Sequence, residues 1–282
     1  MSQIERIEAS VFHRNTIYKI RKIKPLGSFF PQDKNGFILN DTSFEKVPNQ
    51  WLPVIEKIKK SYLDHFEKKV HSIYLRGSVA RGNNVDGFSD IDIFAVIDDL
   101  EERWKMAVWQ PDLQKELQVA FPFVREVEIM MTPYFEDFFQ KNPRLAMIIK
   151  TQSLCIFGND LSETIPPFLP NEKMSINLIW LEEDVNNFLQ KEKITQRDCQ
   201  EITKILIRSG FELVMEKEQK FTTDLYLCYS VFSKYFPKKE NEMREILHLY
   251  LNPIEDQVYL KKSIGNLGNW MLDMMMFFQK KA

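Results

Sequence analysis

Cysteines are scarce in this sequence, and long apolar runs are missing. The 282 residues include three cysteines, Cys155, Cys199 and Cys228, which lie far apart with no CxxC or Cys/His spacing. This pattern argues against a disulfide framework and against a cysteine-bound metal. No stretch approaches the ~18 apolar residues of a membrane span, and the first residues lack the apolar core of a signal peptide. The sequence therefore predicts a soluble cytoplasmic protein without membrane association, whose cysteines are free thiols.

An excess of basic residues is missing too. Lys and Arg number 38 against 40 Asp and Glu, which gives a net charge of −2. Proteins whose main partner is long nucleic acid usually carry a basic excess, so we expect no stable nucleic-acid partner. The composition is 44% apolar and 28% charged, as in a folded protein with a sizeable core. Nothing in the composition predicts an oligomeric state.

The hydrophobic pattern divides the chain into two parts. The first part mixes strands and helices, and residues 164–170 (TIPPFLP) contain three prolines, which favours a domain boundary. After it the apolar spacing is helical throughout. The sequence thus predicts an α+β fold: a mixed-sheet domain at residues 1–165, with an N-terminal extension at 1–50, followed by an all-α helical bundle at 166–282. The predicted strands lie at residues 72–75, 89–97, 124–131 and 154–157, and the helices between them at 51–67, 100–121 and 133–150.

The chemistry centres on residues 75–96. Gly77-Ser78 ends one apolar run, and ten residues later Ser89-Asp90-Ile91-Asp92 opens another. Side chains at i and i+2 of a strand share one face, so both aspartates project together. Paired carboxylates suit Mg²⁺, and a glycine turn lets backbone N–H groups approach a phosphate. The stretch predicts a site for a metal and a nucleotide.

A third carboxylate follows on the next predicted strand, where Glu126 and Glu128 again lie at i and i+2. Three carboxylates from two strands beside a phosphate turn can bridge two metal ions. One ion activates a hydroxyl and the other holds the triphosphate and its leaving group. The strand register decides which glutamate takes part, and at this point both remain possible.

These residues resemble the signature of the nucleotidyltransferase superfamily that includes DNA polymerase beta. The third carboxylate and the helical second half resemble most the bacterial aminoglycoside nucleotidyltransferases, as do residues 145–160 (LAMIIKTQSLCIFGND) and 205–213 (ILIRSGFEL). The resemblance implies two Mg²⁺ ions, ATP as co-substrate, and transfer of a nucleoside monophosphate to a hydroxyl of a small molecule with release of pyrophosphate. It also favours Glu128 over Glu126, because the IMMTP after Glu128 matches the run that follows the family's carboxylate.

The resemblance also assigns roles to single residues. Asp90, Asp92 and Glu128 would be the metal ligands and the catalytic group, with Glu128 as third ligand or general base. The residues that would bind the nucleotide are Gly77, Ser78, Arg81, Ser89, Lys204 and Arg208. Of these, Lys204 and Arg208 share one helix face, which could equally be an exposed cationic edge.

The acceptor is the open question. The acidic run Glu182-Glu183-Asp184 could receive a cationic aminoglycoside, or could be an ordinary exposed helix face. Thr223 stands where streptomycin-type enzymes tend to have a lysine, and the first ~70 residues are longer than in that branch, which puts an antibiotic substrate in doubt. The alternatives are nucleotidylation of a protein or a tRNA, and a non-catalytic nucleotide-binding module.

Overall fold

The computed structural model describes residues 21–25, 27–84, 86–87, 89–98, 103–171 and 174–279. The first twenty residues of the predicted N-terminal extension lie outside the described residues. Within the described part, no helix is long and apolar enough to cross a membrane.

A four-stranded mixed sheet forms the first half of the fold. The strands are β1 (Val70–Arg76), β2 (Ile91–Ile97), β3 (Val127–Pro133) and β4 (Ser153–Gly158), and their order across the sheet is β3-β2-β1-β4. β1 pairs antiparallel with both β2 and β4, whereas β2 and β3 are parallel. The chain can make the parallel pair because the helix Arg103–Ala120 lies between these two strands and serves as the crossover.

The two faces of the sheet pack into two different cores. Ile73, Leu75 and Ile93 point to the face covered by the helices Leu52–Phe66 and Arg103–Ala120. The alternate residues, Tyr74, Phe94 and Val96, point to the opposite face and join the core shared with the second half of the chain. Because side chains alternate along a strand, Asp92 lies on the same face as Phe94, toward the second half.

The second half is helical. Its longer helices are Leu181–Gln190, Gln196–Glu212, Leu225–Tyr235, Glu240–Leu251 and Gln257–Gln279. The helix Gln196–Glu212 packs against the other four. A capping box fixes its start, in which the Thr195 hydroxyl accepts from the Asp198 N–H and the Asp198 carboxylate accepts from the Thr195 N–H. Such a cap contributes about 1 kcal/mol.

A segment from the N-terminal side joins this bundle. The Ser28 N–H donates to the Asp224 carboxylate at 2.8 Å, and the Thr222 hydroxyl donates to the Ser28 carbonyl at 2.8 Å. The Phe30 N–H donates to the Phe221 carbonyl at 2.8 Å. Residues 28–30 therefore lie against the start of the helix Leu225–Tyr235, although the two segments are far apart in the sequence.

The predicted fold class is confirmed: a mixed sheet is followed by helices. The strand bounds shift by up to three residues, most at the strand predicted at 124–131, which is Val127–Pro133. Two further local predictions differ from the structure. The predicted helix 133–150 is two helices, Phe138–Lys141 and Pro143–Gln152, because Pro143 has no N–H to continue the first one. The Gly77-Ser78 turn is the start of a short helix, Gly77–Arg81. The boundary near residue 165 remains a prediction, and one core crosses it.

Candidate active site

A row of three charged side chains crosses the sheet. In the strand register Arg76 of β1 lies opposite Asp92 of β2, and Asp92 lies beside Glu128 of β3. Arg76 Nη2 is 3.5 Å from Asp92 Oδ1 and 3.9 Å from Glu128 Oε2. The register places Glu128, rather than Glu126, next to Asp92.

Asp90 and Glu126 have different partners. Asp90 comes directly before β2, and Arg125 donates to both of its carboxylate oxygens, at 2.8 and 3.0 Å. Glu126 is paired with Arg197 of the bundle at 2.9 Å. The two acids of the Asp90/Asp92 pair are therefore each neutralised by an arginine, and Glu126 stands outside the row.

The glycine turn lies against the carboxylates. Gly77 has φ +79°, and a Cβ on it would lie 2.6 Å from Asp92 Oδ2. Glycine is required here both by the left-handed backbone and by the close carboxylate. The Ser78 hydroxyl donates to the Ser89 hydroxyl at 3.1 Å. The two halves of the sequence motif thus meet in space, as their spacing predicted.

The bundle contributes Lys204 from the helix Gln196–Glu212. Burial lowers the pKa of its ammonium, as does the nearby Arg208, while Glu128, Asp90 and Asp92 oppose the shift. The charges of all three carboxylates therefore act on Lys204. Arg208 donates to the Thr223 carbonyl at 3.2 Å, and its Nε is buried without a hydrogen-bond partner. The structure thus brings Lys204 to the site and ties Arg208 to the loop beside it.

Arg81 is held by other groups. Its side chain is 6% exposed, with Nε 3.4 Å from Asp41 and Nη1 4.0 Å from Asp224. It also donates to the Ser28 hydroxyl at 3.1 Å and lies 4.2 Å from the centre of the Phe30 ring. In this conformation the guanidinium joins the glycine turn to the N-terminal segment and the bundle, rather than being open to a triphosphate.

The crowded carboxylates perturb each other. A hydrogen bond to Asp92, burial and the charge of Asp92 raise the pKa of Glu128 to about 7, against the opposing effect of Arg76. Burial raises the pKa of Asp90, although Arg125 opposes it. A raised pKa near neutrality is what a general base needs in order to exchange a proton at physiological pH.

The Glu128 titration can be measured directly. In the metal-free protein we expect the Glu128 carboxyl to be mostly protonated at pH 6 and mostly ionised at pH 8. Because Asp92 is the largest cause, Asp92→Asn should lower the Glu128 pKa by about one unit or more. Carbon-13 NMR of labelled glutamate side chains would show both titrations. A Glu128 pKa near 4.5 in the wild type would contradict the proposed contact.

A cavity of about 240 Å³ opens between the sheet domain and the bundle, lined by Arg144, Ile176, Asn177, Trp180, Asp184 and Ile205. A second cavity of about 130 Å³ shares Asp184 and Ile205 with it. Of the acidic run Glu182-Glu183-Asp184, only Asp184 lines these cavities, and the other two side chains are exposed.

Glu212 shapes one wall of the larger cavity. Its carboxylate accepts from the backbone N–H groups of Ile176, Asn177 and Leu178, at 3.1, 3.0 and 2.7 Å, and from the Asn177 side chain at 2.7 Å. Burial raises the pKa of Glu212 against these hydrogen bonds. No sequence pattern indicated this anchor, because a single glutamate at a helix end is common.

The donor chemistry of the row fits Mg²⁺. Asp90, Asp92 and Glu128 supply only carboxylate oxygens, the ligands that this hard cation prefers. In the part of the chain that the structure describes, no three such side chains are gathered around one point. Arg125 is paired with Asp90, and Arg76 approaches both Asp92 and Glu128. The three carboxylates therefore have the chemistry of Mg²⁺ ligands, and in this conformation Arg125 and Arg76 are paired with them.

Comparison with known proteins finds one domain match and one similar structure. Residues 55–151 match the family described as nucleotidyltransferase domain. Among solved structures, that of spectinomycin adenyltransferase AAD(9) from Enterococcus faecialis with ATP and spectinomycin matches with a TM-score of 0.50 and 16% identity, covering 78% of this chain and 98% of that chain. No curated protein matches the sequence. The predicted resemblance to nucleotidyltransferases is thereby confirmed: residues 55–151 match a nucleotidyltransferase domain, and the chain shares its fold with the solved adenyltransferase.

Proposed function

We propose that the protein transfers AMP from ATP to a hydroxyl of a small molecule and releases pyrophosphate, with Mg²⁺ bound by Asp90 and Asp92 and with Glu128 as third ligand or general base. The observation that carries the proposal is the adjacency of Asp92 to both Gly77 and Glu128. This adjacency supports a site in which the glycine turn binds phosphate, Asp92 binds metal and Glu128 serves as ligand or base. Two alternatives, a macromolecular acceptor and a non-catalytic binding module, are outcomes of the tests below.

Each residue has a defined task in this proposal. Gly77 and Ser78 begin a short helix whose backbone can approach the β- and γ-phosphates. Lys204, facing the carboxylates from the bundle, offsets charge on the triphosphate. Glu128, in its ionised form, accepts the proton of the acceptor hydroxyl. Bound Mg²⁺ would neutralise the phosphate oxygens and the leaving pyrophosphate.

The acceptor is proposed to occupy the cavity lined by Arg144, Trp180 and Asp184. This cavity lies between the sheet and the bundle, and ligand sites are common at such interfaces between domains. The structure of spectinomycin adenyltransferase AAD(9) with ATP and spectinomycin supports a hydroxylated small molecule as the acceptor class. Asp184 would hydrogen-bond hydroxyl or amino groups of such a molecule.

The basic experiment is pyrophosphate release from ATP and Mg²⁺ with a panel of aminocyclitols and aminoglycosides. Release that depends on one acceptor, with a mass increase of that acceptor by one AMP, supports the proposal. ATP labelled in its adenylate group and incubated with cell lysate tests the alternatives. Label in a protein or RNA band would instead support a macromolecular acceptor, and tight ATP binding without turnover would support a binding module.

Asp184 should affect the acceptor and not the nucleotide. We expect Asp184→Asn to raise the KM for the acceptor on the order of tenfold, because one charged hydrogen bond is lost, with little change in the KM for ATP. Glu182→Gln is the matched control: it removes the same charge from an exposed position two residues earlier and should change neither constant. Equal effects of the two variants would place the acceptor elsewhere.

A further inference from the structure

Arg76 is a charged residue that the proposed chemistry does not use. It is the last residue of β1 and directly precedes Gly77. Its Nη2 lies within 4 Å of both Asp92 and Glu128, at 3.5 and 3.9 Å. The strand register holds these three residues in one row, with Arg76 and Glu128 on either side of Asp92. The backbone therefore fixes this arrangement, and it does not depend on a chance meeting of flexible side chains.

The guanidinium of Arg76 is only partly exposed to solvent. Arg76 Nε is buried without a hydrogen-bond partner, and the side chain as a whole is 28% exposed. A buried donor without a hydrogen-bond partner destabilises the folded protein. A charge held in this way, when a simple apolar residue could end the strand, points to a function of the charge itself.

The local charges nearly cancel. Three carboxylates, Asp90, Asp92 and Glu128, are matched by three cations: Arg125 on Asp90, Arg76 within 4 Å of Asp92 and Glu128, and Lys204 of the bundle, whose charge interacts with all three. Three carboxylates against three cations leave the nucleotide-free site without a net negative charge. A divalent cation gains little from a neutral site, because its Coulomb attraction to the carboxylates is offset by repulsion from the cations.

We infer that Arg76 is a resident counter-ion that keeps divalent metal weakly bound to the nucleotide-free enzyme, so that metal enters together with the triphosphate. This rests on the proposed function, since it takes Asp92 and Glu128 as metal ligands. The phosphates of the nucleotide supply the negative charge that the site itself lacks. Arg76 is in this sense a positioning residue for the metal rather than a catalytic one.

Metal binding without nucleotide tests the inference. We expect calorimetric titration of the full-length, nucleotide-free protein with Mn²⁺ to show binding on the order of tenfold tighter in Arg76→Gln than in the wild type, because one repelling charge is removed beside the ligands. Arg76→Lys retains the charge and should stay close to the wild type. Arg244→Gln, on the bundle surface, makes the same change away from the site and should have no effect.

Stability gives a second readout. Loss of Arg76 leaves two neighbouring carboxylates without their cation, so Arg76→Gln should melt at a lower temperature than the wild type in the absence of metal. Because metal that binds only the folded state stabilises it, Mn²⁺ should raise the melting temperature more in Arg76→Gln than in the wild type. Circular dichroism spectra recorded with and without Mn²⁺ would show whether Arg76→Gln is folded.

Asp92→Asn separates the two proposals. If Asp92→Asn abolishes Mn²⁺ binding while Arg76→Gln binds no more tightly than the wild type, Arg76 is not a counter-ion and the proposed metal site stands. If Asp92→Asn binds Mn²⁺ as the wild type does, the metal site itself is misplaced and the proposed function fails. Tighter binding in Arg76→Gln together with loss in Asp92→Asn supports both.

Discussion

Replacing Asp92 by Asn is expected to reduce kcat/KM for nucleotidyl transfer on the order of 10³-fold. The central position of Asp92 explains the size of the effect. Its side chain is next to Glu128 in the sheet and lies 3.5 Å from Arg76. It also lies so close to position 77 that only a glycine fits there. Asparagine keeps the shape and removes the charge, so the change tests electrostatics rather than packing.

Pyrophosphate release measures this loss, and Glu126→Gln is its control. Glu126 is two residues before Glu128 but is paired with Arg197 at the bundle surface, where an ion pair contributes at most about 1 kcal/mol. Its removal should leave the rate nearly unchanged. A large loss in Glu126→Gln with activity retained in Glu128→Gln would mean that the working register is shifted by two residues.

Replacing Gly77 by Ala should reduce activity on the order of 10²-fold, because displacement of a reacting group by about 1 Å has this effect. The new Cβ would meet Asp92 Oδ2 at 2.6 Å. The aspartate side chain must move to relieve this contact, and it then no longer lies where the metal is proposed to bind. The left-handed backbone adds a separate cost of about 1–2 kcal/mol in stability.

Gly87→Ala isolates the carboxylate contact from the backbone strain. Gly87 has φ +73°, similar to the +79° of Gly77, but no atom lies within 4 Å of an added Cβ. Both variants should therefore lose a similar amount of stability in denaturant unfolding, while only Gly77→Ala loses most of its activity. Equal activities would show that the approach to Asp92 has no catalytic importance.

Much of the site was predictable from local sequence. Asp90 and Asp92 lie at positions i and i+2, which puts their side chains on the same face of an extended chain. The short spacing from Gly77 makes contact between the two halves of the motif the simplest arrangement. The fold class followed from apolar periodicity, which is a local property too. Glu128 was preferred over Glu126 only by resemblance, because a parallel strand pair separated by a crossover helix leaves no local record of its register.

The missing parts depend on contacts between distant segments. Arg76 became relevant only when the sheet placed it beside Glu128, more than fifty residues later. Arg144 and Asp184 line one cavity from two different halves of the chain. Arg81 was expected near the triphosphate, whereas Asp41 and Asp224 hold it in this conformation. No pattern within a short window contains these pairings.

The attachment of residues 28–30 to the bundle has a consequence for folding during synthesis. Ser28 binds Asp224, a partner 196 positions later in the chain. At ~5–20 residues per second, the ribosome needs about 10–40 s to add that length. Residues 55–151 have therefore been synthesised while Ser28 and Phe30 still lack their partners, and we expect this early segment to dock last. Assembly of the cleft would then be the slow, long-range step of folding.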